Sequence, residues 1–329
     1  MESYRRIVFV LICVTEIYAG PLSIRKTLYN KVLGGYNSQI RPVLEDSEPT
    51  PVNLGFVLIS LVDLNEVEQS ITLNEMFKLV WQDASLQWDP ADYDGVTKIY
   101  VEQQKAWLPD IFLTNTLTTR GNLGFDKLTV QVENTGLVLW QPSGLFTLSC
   151  KTDVTYFPFD KQICKMVVST YGSPGKDISF IPDHLQRATD TPNGLWRIVN
   201  VTTELLELDD MDALPEIFVY LDLERRPVYY IVNVLLPIIL LSIVCILVFF
   251  VPVDSGEKIG LCITVLLAFV SLTVASSILP VTSLQTPFLV ICISSLTGMS
   301  GPTLVAPIIV LNVHHKWSVS LHTRENSEI

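Results

Sequence analysis

The 329-residue sequence is poor in side chains that do covalent chemistry or hold metals. It has four histidines and six cysteines, and no Cys/His group has the spacing of zinc ligands. Asp153, Asp160 and His184 stand without any nucleophile–base motif, so no enzyme activity is expected, and no cofactor or metal. The chain is acidic, with a net charge of −12, and no nucleic-acid partner is expected. Internal repeats and low-complexity tracts are missing. The most informative lack is of charge. Between residues 228 and 313 only Asp254, Glu257 and Lys258 are charged, all in one short turn, which argues against a single water-soluble domain. Residues 21–227 are mixed and acidic throughout.

The first 20 residues read as a secretory signal. Arg5 and Arg6 precede a short apolar run, and Ala19 and Gly20 offer a cleavage site. Residues 21–227 then face an oxidising compartment. Cys13 leaves with the signal, and Cys245, Cys262 and Cys292 sit in apolar segments, so Cys150 and Cys164 are left to pair. Asn200-Val201-Thr202 is a glycosylation sequon and implies a surface position. Runs rich in β-branched and aromatic residues at 52–61, 73–81, 128–133, 136–140, 162–169, 195–204 and 216–223 predict strands. Asp94-Gly95, Asn134-Thr135-Gly136 and Pro142-Ser143-Gly144 are among the breakers between them. Such spacing predicts a β-sandwich, with a helix near 24–32 ahead of it.

Three apolar segments follow, at about 228–250, 259–279 and 288–311, each long enough to cross a hydrocarbon core. Three crossings from an outside domain leave His314, His315 and Lys316 inside, as the positive-inside rule prefers. Arg225 and Arg226 lie on the outer side, against that rule. In the second segment, steps of three and four from Glu257 reach Gly260, Thr264, Leu267, Ser271, Val274 and Ile278, one helix face. A face of small and hydroxylated residues suits either a water path or close helix packing.

Thirteen residues separate Cys150 from Cys164, and they contain the turn Phe157-Pro158-Phe159-Asp160. This closely resembles the signature loop of the Cys-loop pentameric ligand-gated ion channels, although Thr152 stands where an apolar residue is usual. The run from Trp81 through Asp83 and Leu86 to Trp88 resembles the family's W-x-D-x-x-L-x-W strand. Trp107-Leu108-Pro109-Asp110 resembles its W-x-P-D motif, and Trp140-Gln141-Pro142-Ser143-Gly144 the strand before the loop. Arg225-Arg226-Pro227 with Tyr229 and Tyr230 resembles the boundary before the first membrane helix. The turn from Pro252 through Asp254 and Gly256 to Glu257 and Lys258 is very similar to that of the nicotinic and serotonin-type channels. The resemblance covers residues 28–313.

It implies an all-β, immunoglobulin-like extracellular sandwich with a short N-terminal helix, then an all-α membrane domain of three helices and a cytoplasmic tail at 314–329. Family members carry a fourth helix; the sequence stops at Ile329 without another apolar run, so a chain truncated after the third helix is expected. The implied function is a subunit of a cation-selective, ligand-gated channel in the plasma membrane. Its partners would be other subunits in a homo- or hetero-pentamer, membrane lipid and a small-molecule ligand of unknown identity. A non-conducting or dominant-negative accessory subunit is the alternative.

By the same resemblance Glu257, Gly260, Thr264, Leu267, Ser271 and Val274 would line the pore. Glu257 would form the inner cation-selecting ring, Leu267 the apolar gate, and Lys258 would turn away. Ser276, Ser277 and Ile278 stand where an outer acidic residue is common, so no outer charged ring is expected. The ligand positions map onto Thr114, Tyr171, Leu214 and Met76, which keeps one aromatic ring. The capping hairpin at 204–215 carries Glu204, Glu207, Asp209, Asp210 and Asp212, either as a site for a cation or as a solvated tip. Coupling would run through Glu66, Phe157, Pro158, Phe159, Asp160, Arg225 and Arg226, facing a linker that begins at Pro280. Glu66 is expected to pair with Arg226 there.

Overall fold

The structure, a computed structural model, describes residues 21–43, 48–118, 123–125, 127–183, 186–187, 193–206, 213–252, 256–275 and 286–325. The signal segment, His184, Glu207, Asp209, Asp210, Asp212, Asp254, Ser276, Ser277, Ile278 and Pro280 lie outside the described residues.

Helix α1 (Pro21–Leu33) precedes two packed sheets. The larger has eight strands: β10 (Gln186–Arg187), β1 (Thr50–Asn65), β2 (Ser70–Gln82), β6 (Leu137–Trp140), β5 (Thr129–Glu133) and β3 (Lys98–Glu102) in order, with β7 (Ser143–Ser149) on β2 and β9 (Ile178–Pro182) on β1. The smaller runs β11 (Trp196–Leu205), β12 (Glu216–Arg225), β8 (Lys161–Thr170) and β4 (Ile111–Leu113). The β-sandwich is as expected. Pro142-Ser143-Gly144, read as a breaker, instead leads directly into β7, whose backbone ladders onto β2 from Ser143 to Ser149. Strands β3, β4 and β9 are short, and their alternation is too brief to stand out in sequence.

Alternation explains the core. On β2 the side chains of Ile71, Leu73, Phe77, Leu79 and Trp81 are buried between the sheets. Phe56 and Trp107 meet Phe77 and Trp81 edge to face, at 5.4 and 5.8 Å between ring centroids. Asp83 caps the short 3₁₀ turn after β2 through the Ser85 N–H, and its other oxygen accepts the Tyr36 hydroxyl at 2.7 Å. Gly136, at φ +83°, passes so close to that turn that a Cβ would meet the Asp83 carbonyl oxygen at 2.3 Å. Cys150, following β7, bonds Cys164 on β8 and ties one sheet to the other.

Beyond β12 the chain enters helix α2 (Val228–Phe250), then α3 (Lys258–Ala275) and α4 (Phe288–Glu325). A π turn at Ile231–Leu235 sits just before Pro237, which has no N–H for the preceding turn and needs the room. The third helix does not end at 311. It continues through Pro302 and Pro307, past the histidines, to Glu325. Residues 276–279 of the expected second helix lie outside the described residues.

Candidate functional site

Three groups of residues gather the sequence-predicted positions. The first lies where the sandwich meets the helices. Arg225, the last residue of β12, keeps only 1% of its side chain exposed. Its Nε donates to Asp160 Oδ1 at 2.7 Å and one Nη to Asp160 Oδ2 at 3.1 Å, and the same Nη reaches Glu66 Oε1 in the β1–β2 turn. Its guanidinium lies over Trp196 and Phe157, at 4.2 and 4.7 Å from the ring centroids. Burial would lower the guanidinium pKa, but hydrogen bonds and charge from Asp160 and then Glu66 more than offset it, so the net shift is upward.

Glu66 therefore pairs with Arg225 and not with Arg226. Strand parity is the reason: Ile217, Val219, Leu221, Leu223 and Arg225 all point inward along β12, which turns Arg226 out to solvent. Gln162 braces Asp160 by donating to its Oδ2 at 2.7 Å. Thr152, the departure in the loop, is buried and donates its hydroxyl to the Glu66 backbone carbonyl at 3.2 Å, a contact no apolar residue makes. At the loop tip Phe157 and Pro158 are buried while Phe159 is exposed. Phe157 packs against Ile238 on α2 and Leu289 and Ile293 on α4, edge to face with Tyr230 at 4.7 Å. The Phe288 N–H donates to the Thr155 carbonyl at 3.0 Å.

The second group is one face of α3. Gly260, Thr264, Leu267, Ser271 and Val274 are exposed, as is Glu257 just before the helix, whereas Cys262, Val265 and Phe269 are buried. Lys258 is buried beside them, its Nζ donating to the Val251 carbonyl at 2.9 Å.

The third group does not converge within one chain. Tyr171, 72% exposed, stands edge to face with Phe112 at 5.6 Å on the smaller-sheet side. Asp110 holds it there, its carbonyl taking the Tyr171 N–H and its carboxylate the Gly172 N–H, both at 2.9 Å. Thr114 and Leu214 are exposed on the same side. Met76 belongs to β2 in the other sheet. A cavity of about 580 Å³ opens beside Tyr171, lined by Asp110, Phe112, Gln103 and Trp140. Sequence reading missed Phe112, Phe218 and Lys165. Lys165 lays its Nζ over the Phe218 ring at 3.8 Å, and the period-two pattern of β12 would have turned Phe218 outward. Asn200 is exposed on β11.

A disulfide-tied sandwich thus sets its ion cluster and loop tip against strongly apolar helices. The neurotransmitter-gated ion-channel ligand binding domain family matches residues 25–227, and the neurotransmitter-gated ion-channel transmembrane region family matches residues 234–328. Similar proteins include acetylcholine receptor subunit alpha-like 2 of Drosophila melanogaster, 35% identical over 94% of this chain and 56% of the relative. Acetylcholine receptor subunit alpha-L1 of Schistocerca gregaria is 37% identical over 88% and 55%. Acetylcholine receptor subunit beta of Rattus norvegicus is 34% identical over 91% and 62%. The chain spans a little over half the length of these relatives. The chain belongs to the neurotransmitter-gated ion-channel family, multi-pass plasma-membrane proteins with an extracellular N-terminal domain.

Proposed function

We propose that this chain is a subunit of a ligand-gated, cation-selective pentameric channel. The unpacked face of α3 carries the reading. A helix bundled with its neighbours on every side would leave no continuous stripe, yet Glu257, Gly260, Thr264, Leu267, Ser271 and Val274 are all uncovered. Five such faces turned together would give a wettable wall with a ring of leucines that closes by dewetting. Glu257 would add five carboxylates at the inner mouth, and Lys258, held at the Val251 carbonyl, would not cancel them.

The proposed ligand site lies between subunits, because Met76 and Tyr171 stand on opposite sheets. Relatives are named as acetylcholine receptor subunits, but holding a quaternary amine by cation–π attraction takes several free ring faces. Here Tyr171 alone is free among the positions carried over, and Lys165 already occupies Phe218. The ligand we propose is therefore a small molecule other than a boxed quaternary amine. The ion cluster at Arg225, with Phe157, Pro158 and Phe159, would carry its binding to the helices, and Asn200 would bear a glycan. The reduced aromatic set also supports a second reading, a non-conducting partner that suppresses currents of the subunits it joins.

Reversal potentials of expressed channels, alone and with candidate partner subunits, test this. Currents should reverse near the cation equilibrium potential, and Glu257→Lys should cut cation preference by more than tenfold. Reversal at the chloride potential would sink the cation reading. Absence of any current, together with suppression of a partner's current, would favour the accessory role.

A further inference from the structure

Two neighbouring residues of β2 stand on each other's natural faces. Glu75 points into the sandwich and is buried, and its Oε1 has no hydrogen-bond partner among the described residues. Met76, beside it on the opposite face, is only half-buried. A thioether belongs inside and a carboxyl outside.

The pairing of β2 is irregular on both sides of this pair. On β1, Leu58 pairs with Glu75 and Ser60 with Asn74, so Ile59 is the extra residue of a β-bulge. On the other side β7 gives out where Ser143 pairs with Met76, and β6 takes over where Trp140 pairs with Leu79. Gln141 and Pro142 between them belong to neither strand. Pro142 has no N–H to offer β2, and its carbonyl takes the Phe77 N–H at 2.8 Å. Gly144, directly opposite Glu75, has no side chain to hold it in place. A one-residue slip turns side chains over to the other face, and it is easiest where the partner strand already carries an extra residue.

Charge supplies the drive. Strands β4, β7 and β9 have no charged residue, and Asp63, the one on β1, is exposed. Across the sandwich the inward rows of β8 and β12 carry none before Arg225. That arginine is held by Asp160 and Glu66 beyond Ser70, about 17 Å down β2 from Glu75. Burial therefore acts on Glu75 unopposed, and its pKa rises to about 8. Once ionised, a carboxylate without a cation in such a core is more costly than a local slip of one strand. Outside it meets water and Lys78, which lies one pleat beyond Met76 and pairs with Asp183 at 3.0 Å.

We propose that Glu75 and Met76 exchange faces when Glu75 loses its proton, a slip of β2 at the Ile59 bulge that brings the carboxylate out and takes the thioether in. Met76 is the ligand position on this sheet. A ligand held there would meet a thioether at low pH and a carboxylate at high pH, which favours a cationic ligand as pH rises. This last consequence rests on the intersubunit ligand site proposed above; the exchange does not, and it can be read without ligand or partner subunit.

Hydroxyl-radical labelling of the full chain in detergent, read by mass spectrometry, follows Met76 directly. From about pH 6 to about pH 9, Met76 oxidation should fall severalfold relative to the exposed Phe125, while buried Phe77 stays unlabelled. Glu75→Gln keeps the shape and cannot ionise, so Met76 oxidation should stay level over the same range. Level oxidation in the parent, or the same fall in Glu75→Gln, would overturn the proposal. So would labelling of Phe77 that rises with pH, because the strand would then be opening rather than turning over.

Discussion

Glu75 occupies an inward position of β2 that strand parity assigns to an apolar residue. It lies opposite Leu58 on β1 and Gly144 on β7, is 3% exposed, and its Oε1 has no hydrogen-bond partner among the described residues. Burial pushes its pKa from 4.5 up to about 8. The folded chain thus holds a proton that the unfolded chain releases between these values. Stability from this group is fully present below about pH 4.5 and is lost as pH rises through about 8, with a slope of up to about 1.4 kcal/mol per pH unit. Melting temperature of the full chain in detergent should fall between pH 5 and 8 more steeply than that of Glu75→Gln. Glu75→Leu should melt higher than the parent at pH 8. Parallel curves for parent and Glu75→Gln would show that Glu75 does not set the slope. The position was legible: Ile71, Leu73, Phe77, Leu79 and Trp81 share its parity, and only its own polarity hid it. Arg225 was legible by the same rule. Its neighbour Arg226 looks identical in composition, and only the alternation of β12 separates them.

Among the elements, α3 shows how far a periodicity reaches. Steps of three and four found the stripe that the structure leaves uncovered, because both follow from the same 3.6-residue turn. Periodicity could not tell an uncovered face from a packed one. That required the neighbours, which bury Cys262, Val265 and Phe269 on the other side. Leu267→Ser should therefore leave expression unchanged and raise resting current or lower the ligand concentration for half activation severalfold, because a hydroxyl ring wets where leucine dewets. Parent-like currents would mean another residue forms the constriction. The end of α4 was misplaced for a different reason. The expected end at 311 marks where the apolar run stops, whereas the helix, which already passes Pro302 and Pro307, carries on through the polar residues beyond it for 38 residues in all. The capping hairpin and the linker after α3 were read from resemblance alone, and their central residues lie outside the described ones.

For the molecule as a whole, the ion cluster joins parts that are distant in sequence. Glu66 comes from the β1–β2 turn, Asp160 from the disulfide loop and Arg225 from the last strand. Removing Arg225 leaves two carboxylates without their partner and should cost about 3–5 kcal/mol. A double-mutant cycle between Glu66→Gln and Arg225→Gln, read by ligand-evoked current and by melting, should give a coupling energy of at least about 1 kcal/mol. Additive effects in both readouts would remove the pair from the coupling route. The sequence named all the members, and missed the pairing because contact between a turn, a loop and a strand end is a tertiary fact.

Only Arg226 and Pro227 separate that cluster from the first residue of α2. The three steps from Arg225 to Val228 extend to at most about 11 Å, and proline removes one of their rotations. The covalent tether therefore has almost no slack. A shift of the last strand by more than a small fraction of its own length has two outlets: it drags the top of the first membrane helix, or it tears the arginine from its carboxylates.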